Sequence, residues 1–243
     1  MKATKLFEDL GHEWIVFGRD PEKPKGIIDT NQYMIKGRGS AMLLDPGGVE
    51  LFAPMLAAVA QHVPISSIKH LFASHQDPDI ISSLGLWDKT LEGATLYAPW
   101  IWEGFIKHFG CEAIVYDPLP DEGRTIRFGD TELEFVPAHY LHSSGNFSVY
   151  DKTAKILMSG DIGAALLPDG APFFVEDFDT HTSAMTMFHQ RWMPSNKAKL
   201  AWIARVRELD VDYMAPQHGA IFKGEDVVRF LDWFEALEVG IAV

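Results

Sequence analysis

A single cysteine, Cys111, stands among 243 residues. No disulfide can form within the chain, and iron–sulfur or rubredoxin-type centres, which need several thiolates, are excluded within it. The thiol itself reads as a small apolar residue near a strand rather than a redox switch. Long hydrophobic runs are also missing. No segment reaches the ~20 apolar residues that a membrane helix needs, and residues 1–11 lack the apolar core of a signal peptide. A reducing cytoplasm is therefore the expected setting, with no membrane insertion. Positive charge is scarce: 21 Lys and Arg face 34 Asp and Glu, a formal charge of −13. No basic cluster offsets that balance, so nucleic acid and anionic lipid are poor electrostatic partners. Internal repeats and low-complexity tracts are absent too. What remains, 47% hydrophobic and 23% charged, is an ordinary globular composition, long enough for a sizeable core.

Residues 20–26 (Asp-Pro-Glu-Lys-Pro-Lys-Gly) make a turn or hairpin tip, followed by paired strands at 32–35 and 41–45. Helical spacing covers 49–63, 79–87 and 99–109, the last with Pro99 at a first helical position. It returns at 182–192, 195–209 and 225–237, with Thr182 and Ser195 as N-caps. Strands are expected at 68–73, 95–98, 113–116, 125–128, 132–137, 147–151, 155–158 and 211–215. Hairpins mixed with helices predict sheets covered by helices, not an all-parallel doubly wound fold.

Four of these strands end in the same kind of residue. The strand at 68–73 runs into Ser74-His75-Gln76-Asp77-Pro78-Asp79, and that at 132–137 into Ala138-His139-Tyr140-Leu141-His142. The strand at 155–158 runs into Ser159-Gly160-Asp161, and the last into Pro216-Gln217-His218-Gly219. Loops converge at strand ends in layered α/β proteins, so four such junctions point to one shared site. Imidazoles and carboxylates without thiolate fit iron or manganese at least as well as zinc, and disfavour a pure magnesium or calcium site. Six ligands exceed what one tetrahedral zinc takes and suit two metals sharing a carboxylate. In an extended loop His75, Asp77 and Asp79 project to one side, leaving Gln76 and Pro78 to point away. Asp79 would also cap a helix beginning near Ile80, but capping leaves His75 with Asp77 unexplained. Asp161 suits a turn and His218 a packed strand end, readings that explain each residue alone but not the set.

At this level of detail the chain resembles the metallo-β-lactamase superfamily, and within it the flavodiiron proteins. The superfamily's first ligand loop reads His-x-His-x-Asp-His, and flavodiiron proteins carry a carboxylate in place of the second His. His75-Gln76-Asp77-Pro78-Asp79 matches that version, and the later stations follow in order: His142 before Gly145, Ser159-Gly160-Asp161, and Pro216-Gln217-His218-Gly219. Asn31-Gln32-Tyr33-Met34-Ile35 and Phe188-His189-Gln190-Arg191-Trp192-Met193-Pro194 resemble further family segments, so the likeness spans nearly the whole chain. It implies an α/β fold of αββα type, two mixed β-sheets flanked by helices, as one domain over residues 1–243. It also favours His142 over His139, because His-x-x-Gly fits the superfamily pattern, and leaves His139 to support the ligands.

Two departures narrow the resemblance. Ile80 stands where a His normally follows the final Asp, so one metal should be a ligand short beside an apolar residue, an opening suited to a small gas. No flavodoxin-like domain with FMN is expected to accompany these 243 residues. Both features are similar to stand-alone oxygen-binding di-iron proteins. That resemblance implies two iron ions with an oxo, hydroxo or peroxo bridge. One iron would take His75, Asp77 and His142, the other Asp79 and His218, with Asp161 bridging and Ile80 lining the open position. It further implies O2 (NO being the alternative gas) bound at a diferrous centre to give a diferric-peroxo species. The setting would be oxygen sensing linked to a chemotaxis receptor, with an inherited homodimer. Tyr33 and Tyr140 are candidates to donate a hydrogen bond to the bound gas, with burial in the core as an equal reading. Three other readings stay open: an O2 or NO reductase fed by an external redox partner, a dinuclear zinc hydrolase, and a metal-free binding module. His181 and His189 read as helix-face residues, and Glu176, Asp177 and Asp179 as a solvated acidic loop.

Overall fold

The computed structural model describes residues 1–241. Its elements form two mixed sheets. The first has seven strands in sequential order: β1 (Lys2–Asp9), β2 (His12–Gly18), β3 (Gln32–Gly37), β4 (Ser40–Leu44), β5 (Ile68–Phe72), β6 (Thr95–Pro99) and β7 (Val115–Leu119). The first four run antiparallel as hairpins, and β4 to β7 run parallel. The crossovers between those parallel strands carry α1 (Phe52–Val59), then α2 (Pro78–Ile81) and α3 (Leu84–Thr90), then α4 (Glu103–Ile106). The second sheet has six strands: β8 (Arg124–Phe128), β9 (Thr131–Pro137), β10 (Phe147–Asp151), β11 (Ile156–Gly160), β12 (Tyr213–Pro216) and β13 (Phe222–Lys223), ordered β13-β12-β11-β10-β9-β8. Here β11 and β12 pair in parallel across α5 (Phe178–Trp192) and α6 (Asn196–Arg207), and α7 (Glu225–Ala236) closes the described chain.

Alternating side chains sort into separate apolar layers, as a two-residue period requires. On β2, Trp14 and Val16 enter the layer between the sheets, with Tyr33, Phe72, Phe135, Phe147 and Met158. Their neighbours Ile15 and Phe17 face outward, beneath the helices with Met55, Ile81 and Trp87. Both faces being covered is why 14–17 is a continuous apolar run. A third layer lies between the second sheet and α5–α7, where Val227, Phe230, Leu231 and Phe234 supply the i, i+3, i+4, i+7 stripe of an amphipathic helix. The arrangement is the expected αββα sandwich. Asp151 ties the sheets together: it is fully buried on β10 and accepts hydrogen bonds from Trp14 Nε1 (2.7 Å) and Thr131 Oγ1 (3.0 Å).

Several elements depart from their expected form. The N-terminal hairpin β1–β2 was not anticipated; β1 is mostly exposed and carries little apolar signal. The helix expected at 79–87 is broken between α2 and α3. There Ser83 Oγ donates to the Gly47 carbonyl (2.6 Å) and Ser82 Oγ accepts from Val49 N (2.9 Å), hydroxyl bonds that compete with helix propagation. Just beyond, Gly85 is packed so closely that a Cβ would lie 2.1 Å from the Phe109 carbonyl oxygen. The segment at 99–109 is one short α turn between two 3-10 turns. α5 starts at Phe178, earlier than expected, and its cap is Asp177, which accepts from Thr180 N, not Thr182. The acidic run is thus partly a helix start, and Asp179 pairs with Arg229 at 2.9 Å. Ser195 caps α6 as expected.

Candidate metal centre

The loops that leave the ends of β5, β9, β11 and β12 meet at one place, and six side chains face one another there. His75 Nε2 lies 3.6 Å from Asp77 Oδ2, and His142 Nε2 lies 2.9 Å from that same oxygen. On the other side, His218 Nε2 lies 3.3 Å from Asp79 Oδ2. Asp161 stands between the two groups. Its Oδ2 is 3.7 Å from His75 Nε2 and 3.4 Å from His142 Nε2, whereas its Oδ1 is 3.6 Å from His218 Nε2. One carboxylate therefore presents one oxygen to each group. His75, Asp161 and His218 are buried. Asp77 and Asp79 keep 29% and 31% of their side chains exposed, which opens the cluster to small molecules.

The imidazoles are held in the orientation that a metal ligand needs. Ser74 Oγ donates to Asp45 Oδ2 (2.7 Å), so its oxygen is left to accept from His75 Nδ1 at 2.9 Å. With the Nδ1 proton engaged by Ser74, Nε2 is the nitrogen that faces the cluster; this buried atom has no hydrogen-bond partner, and once it releases its own proton its lone pair is directed at the site. His218 repeats the logic: Nδ1 donates to the Asp29 carbonyl (3.1 Å), leaving Nε2 for the site. Asp161 Oδ1 is likewise buried and without a hydrogen-bond partner. Orphaned donors and acceptors of this kind are costly unless something binds them. Two groups of nitrogen and carboxylate ligands sharing a carboxylate fit a pair of metal ions, and without thiolate they fit iron.

Electrostatics point the same way. Burial alone would pull His75 down, but the carboxylates of Asp161, Asp77 and Asp45 outweigh it and raise its pKa to about 9. Burial is likewise outweighed at His218, by Asp161 and Asp79, and its pKa is also about 9. Burial opposes ionisation of Asp77, yet the hydrogen bond with His142 and the nearby His75 ring hold it below the usual carboxylate range. Asp45 behaves differently: burial pushes it up to about 7. Two histidines with folded pKa values above their unfolded value of ~6.5 add stability that is complete below that pH and disappears as pH rises through about 9. Urea unfolding of the metal-free protein should therefore show stability falling between pH ~6.5 and ~9. A flat or rising curve there would mean the carboxylates do not hold protons on these rings.

The remaining expectations fare unevenly. Gln76 does not point away idly: its Nε2 donates to Asp77 Oδ1 (3.0 Å) and its Oε1 accepts from Ser143 Oγ (2.8 Å). His139 turns aside to the Asp121 carbonyl at 2.8 Å, with its ring on Phe147, so it does not support the six residues. Tyr140 is 55% exposed, and Tyr33, completely buried, donates to the Pro216 carbonyl at 2.6 Å. The Tyr33 phenol is thus engaged away from the six residues and acts on the strand end that carries His218. Ile80 is completely buried in the apolar layer over the first sheet. Cys111 is half-buried and its thiol is pushed up to about 11 by burial and by Asp88, which keeps it protonated at neutral pH.

Residues without a motif also serve the site. Asp45, at the end of β4, orients Ser74 and through it His75. Asn31 Nδ2 donates to the carbonyls of Pro216 (3.0 Å) and Gly219 (2.9 Å), bracketing His218. Because Asn31 reaches the same Pro216 carbonyl as Tyr33, Tyr33→Phe leaves that acceptor satisfied. The substitution should cost only ~1 kcal/mol in urea unfolding and spare metal uptake. Loss of uptake would show that the phenol matters to the centre itself. α5 supplies a wall: Phe188 lies 6.3 Å from the His142 ring and 6.5 Å from the His218 ring, and Trp192 stacks on Phe188 and meets His142 at 5.4 Å.

Comparison with known proteins agrees with this geometry. Residues 28–219 match the family model described as ODP family beta lactamase. The chain belongs to the ODP family. A solved structure of this family, described as the peroxy diiron species of chemotaxis sensor ODP, is 38% identical; the match covers 99% of this chain and 97% of that one, with a TM-score of 0.88. The apo state of chemotaxis sensor ODP from T. denticola is also 38% identical, covering 98% of this chain and 96% of that one, with a TM-score of 0.87. The flavodiiron protein from Giardia intestinalis shares the fold at 17% identity, over 96% of this chain and 58% of its own, with a TM-score of 0.82. An uncharacterised protein of Methanocaldococcus jannaschii is 25% identical over 84% of this chain; the chain spans about half (52%) of that relative's length.

Proposed function

We propose that this member of the ODP family holds two iron ions where the loops after β5, β9, β11 and β12 meet and binds dioxygen there as an oxygen sensor. The observation that carries this reading is the division of Asp161, whose Oδ2 faces His75 and His142 while its Oδ1 faces His218. His75, Asp77 and His142 would hold one iron, Asp79 and His218 the other, with Asp161 shared. Family members of 38% identity that are described as a chemotaxis sensor, one as a peroxy diiron species, support the same reading. Ferrous iron, when bound, supplies the electrons that dioxygen uptake requires.

The chain's own residues set the conditions. Three carboxylates offset the positive charge of two ions, and three imidazoles complete an all-nitrogen-and-oxygen set. Ser74, Asp29 and Gln76 keep His75, His218 and Asp77 aimed inward, so on metal binding the two rings release protons without having to turn. Ile80 offers no ligand atom beside Asp79, which leaves the second ion a place for a small molecule. Phe188 and Trp192 form an apolar wall over His142, limiting water and therefore protons at the bound gas.

On this reading the sensor would work in the cytoplasm and report to a signalling partner, and the description of its relatives as a chemotaxis sensor favours a chemotaxis receptor in that role. No helix among the described residues is long and apolar enough to cross a membrane. The test is to load metal-free protein with ferrous iron under nitrogen, with zinc in competition, and then admit air. Two irons per chain and a lasting visible absorption band support the proposal. A protein that prefers zinc, or whose spectrum does not change in air, refutes it. Rapid oxygen consumption with an added electron donor would instead make it a reductase.

A further inference from the structure

The deepest histidine outside the cluster is His189 on α5, which is completely buried. Aromatic rings enclose it: Phe230 at 6.0 Å, Trp233 at 5.3 Å and Phe234 at 5.2 Å. An imidazole in such surroundings needs a partner for each nitrogen. Nδ1 lies 2.9 Å from the Met185 carbonyl, an acceptor only, so Nδ1 carries the proton. Nε2 is then a bare acceptor, and it receives the backbone N–H of Gly163 at 3.0 Å. Both bonds fix one tautomer and one ring orientation.

Gly163 belongs to the turn that carries Asp161. That turn is closed by Ala164 N donating to the Asp161 carbonyl (3.1 Å) and by Ser159 Oγ donating to the Ile162 carbonyl (2.6 Å). Gly163 has φ +94, a left-handed conformation that favours glycine, and a Cβ there would press on Met214 Cε (2.8 Å) and the Phe222 ring (3.1 Å). The outward N–H of this turn is buried against α5 and is met by His189. We infer that His189 is a positioning residue for Asp161: by accepting the Gly163 N–H it sets the tilt of the turn, and with it the direction in which each carboxylate oxygen points. The inference rests on reading Asp161 as the shared ligand. Phe188, the preceding residue, reaches His142 and His218 from the same helix. α5 is thus held against both halves of the centre, and a change at Asp161 has a direct route to that helix.

Two variants separate this role from simple packing. His189→Gln places an amide oxygen where Nε2 stood; His189→Leu fills the space with no acceptor. Metal-free protein, checked for folding by its thermal unfolding, would be titrated with ferrous iron under nitrogen by calorimetry. Hydrogen exchange of the Gly163 amide would be followed by NMR on the same samples. The expected result is two irons for wild type and for His189→Gln at similar affinity. His189→Leu should bind the second iron roughly 10–100-fold more weakly and exchange Gly163 at least about tenfold faster. Wild-type-like titration and exchange in His189→Leu would overturn the inference alone. So would equal weakening in both variants with Gly163 still protected, since that result belongs to ring packing. A wild type that takes fewer than two irons would remove the di-iron reading, and this inference with it.

Discussion

Asp161→Ala protein is expected to retain at most one iron per chain, with affinity for the pair lowered by more than the ~10–100-fold typical of losing an outer hydrogen-bond partner. The reason is geometric. Every other candidate ligand faces one group, whereas the Asp161 oxygens face His75 and His142 on one side and His218 on the other. Removing it deletes a ligand from both ions and the anion that allows them to sit close together. Metal-free Asp161→Ala should remain folded, because the turn is closed by backbone and Ser159 hydrogen bonds that do not use the carboxylate. Its His75 and His218 should also titrate at lower pH than in wild type, since Asp161 is the largest influence raising both. Iron analysis after desalting, with NMR titration of the two rings, checks both parts. Retention of two irons by this variant would show that the ions do not share Asp161.

Helix-covered sheets and the gathering of six side chains at one end were legible because they rest on strong local signals, and the family resemblance supplied the αββα form. Short apolar runs ending in His or Asp beside Gly, Ser or Pro mark strand ends, and four of them could be found without knowing the topology. The missed features depend on contacts far apart in sequence. Asp45 bears on His75 only because β4 and β5 are neighbours in parallel register, and no motif around Asp45 announces that. His189 looked like a helix-face residue because its partner, Gly163, lies 26 positions away. The break between α2 and α3 escaped because apolar spacing continues through it, while Ser82 and Ser83 bond to the 47–49 loop. Tyr33, an equal choice between core and site, proved to be core: its ring packs between the sheets and its hydroxyl is used by Pro216.

Ile80→His should have the second large effect. On the proposed reading, in which Ile80 leaves the second iron a ligand short, an imidazole next to Asp79 would close that position. The second iron should then bind at least about tenfold tighter, by comparison with the 10–100-fold that even outer partners contribute. The absorption band raised by air should become weaker or decay at least about tenfold faster, an effect of ~1.4 kcal/mol or more. The substitution also introduces a polar ring into a completely buried apolar site. In metal-free protein that should cost ~1–3 kcal/mol, and added iron should recover much of it. Comparing urea unfolding with and without iron is therefore part of the test. A stability cost that metal does not relieve, with an unaltered air response, would place Ile80 outside the open position.

The central claim is a pair of irons divided by one carboxylate, and anomalous X-ray scattering at the iron edge from anaerobically loaded crystals addresses it most directly. The account predicts two anomalous peaks, ~3.5–4 Å apart as in other two-metal sites. One should sit among His75, Asp77 and His142, the other between Asp79 and His218, with an Asp161 oxygen directed at each. A single peak, or a second peak away from Asp79 and His218, would contradict it.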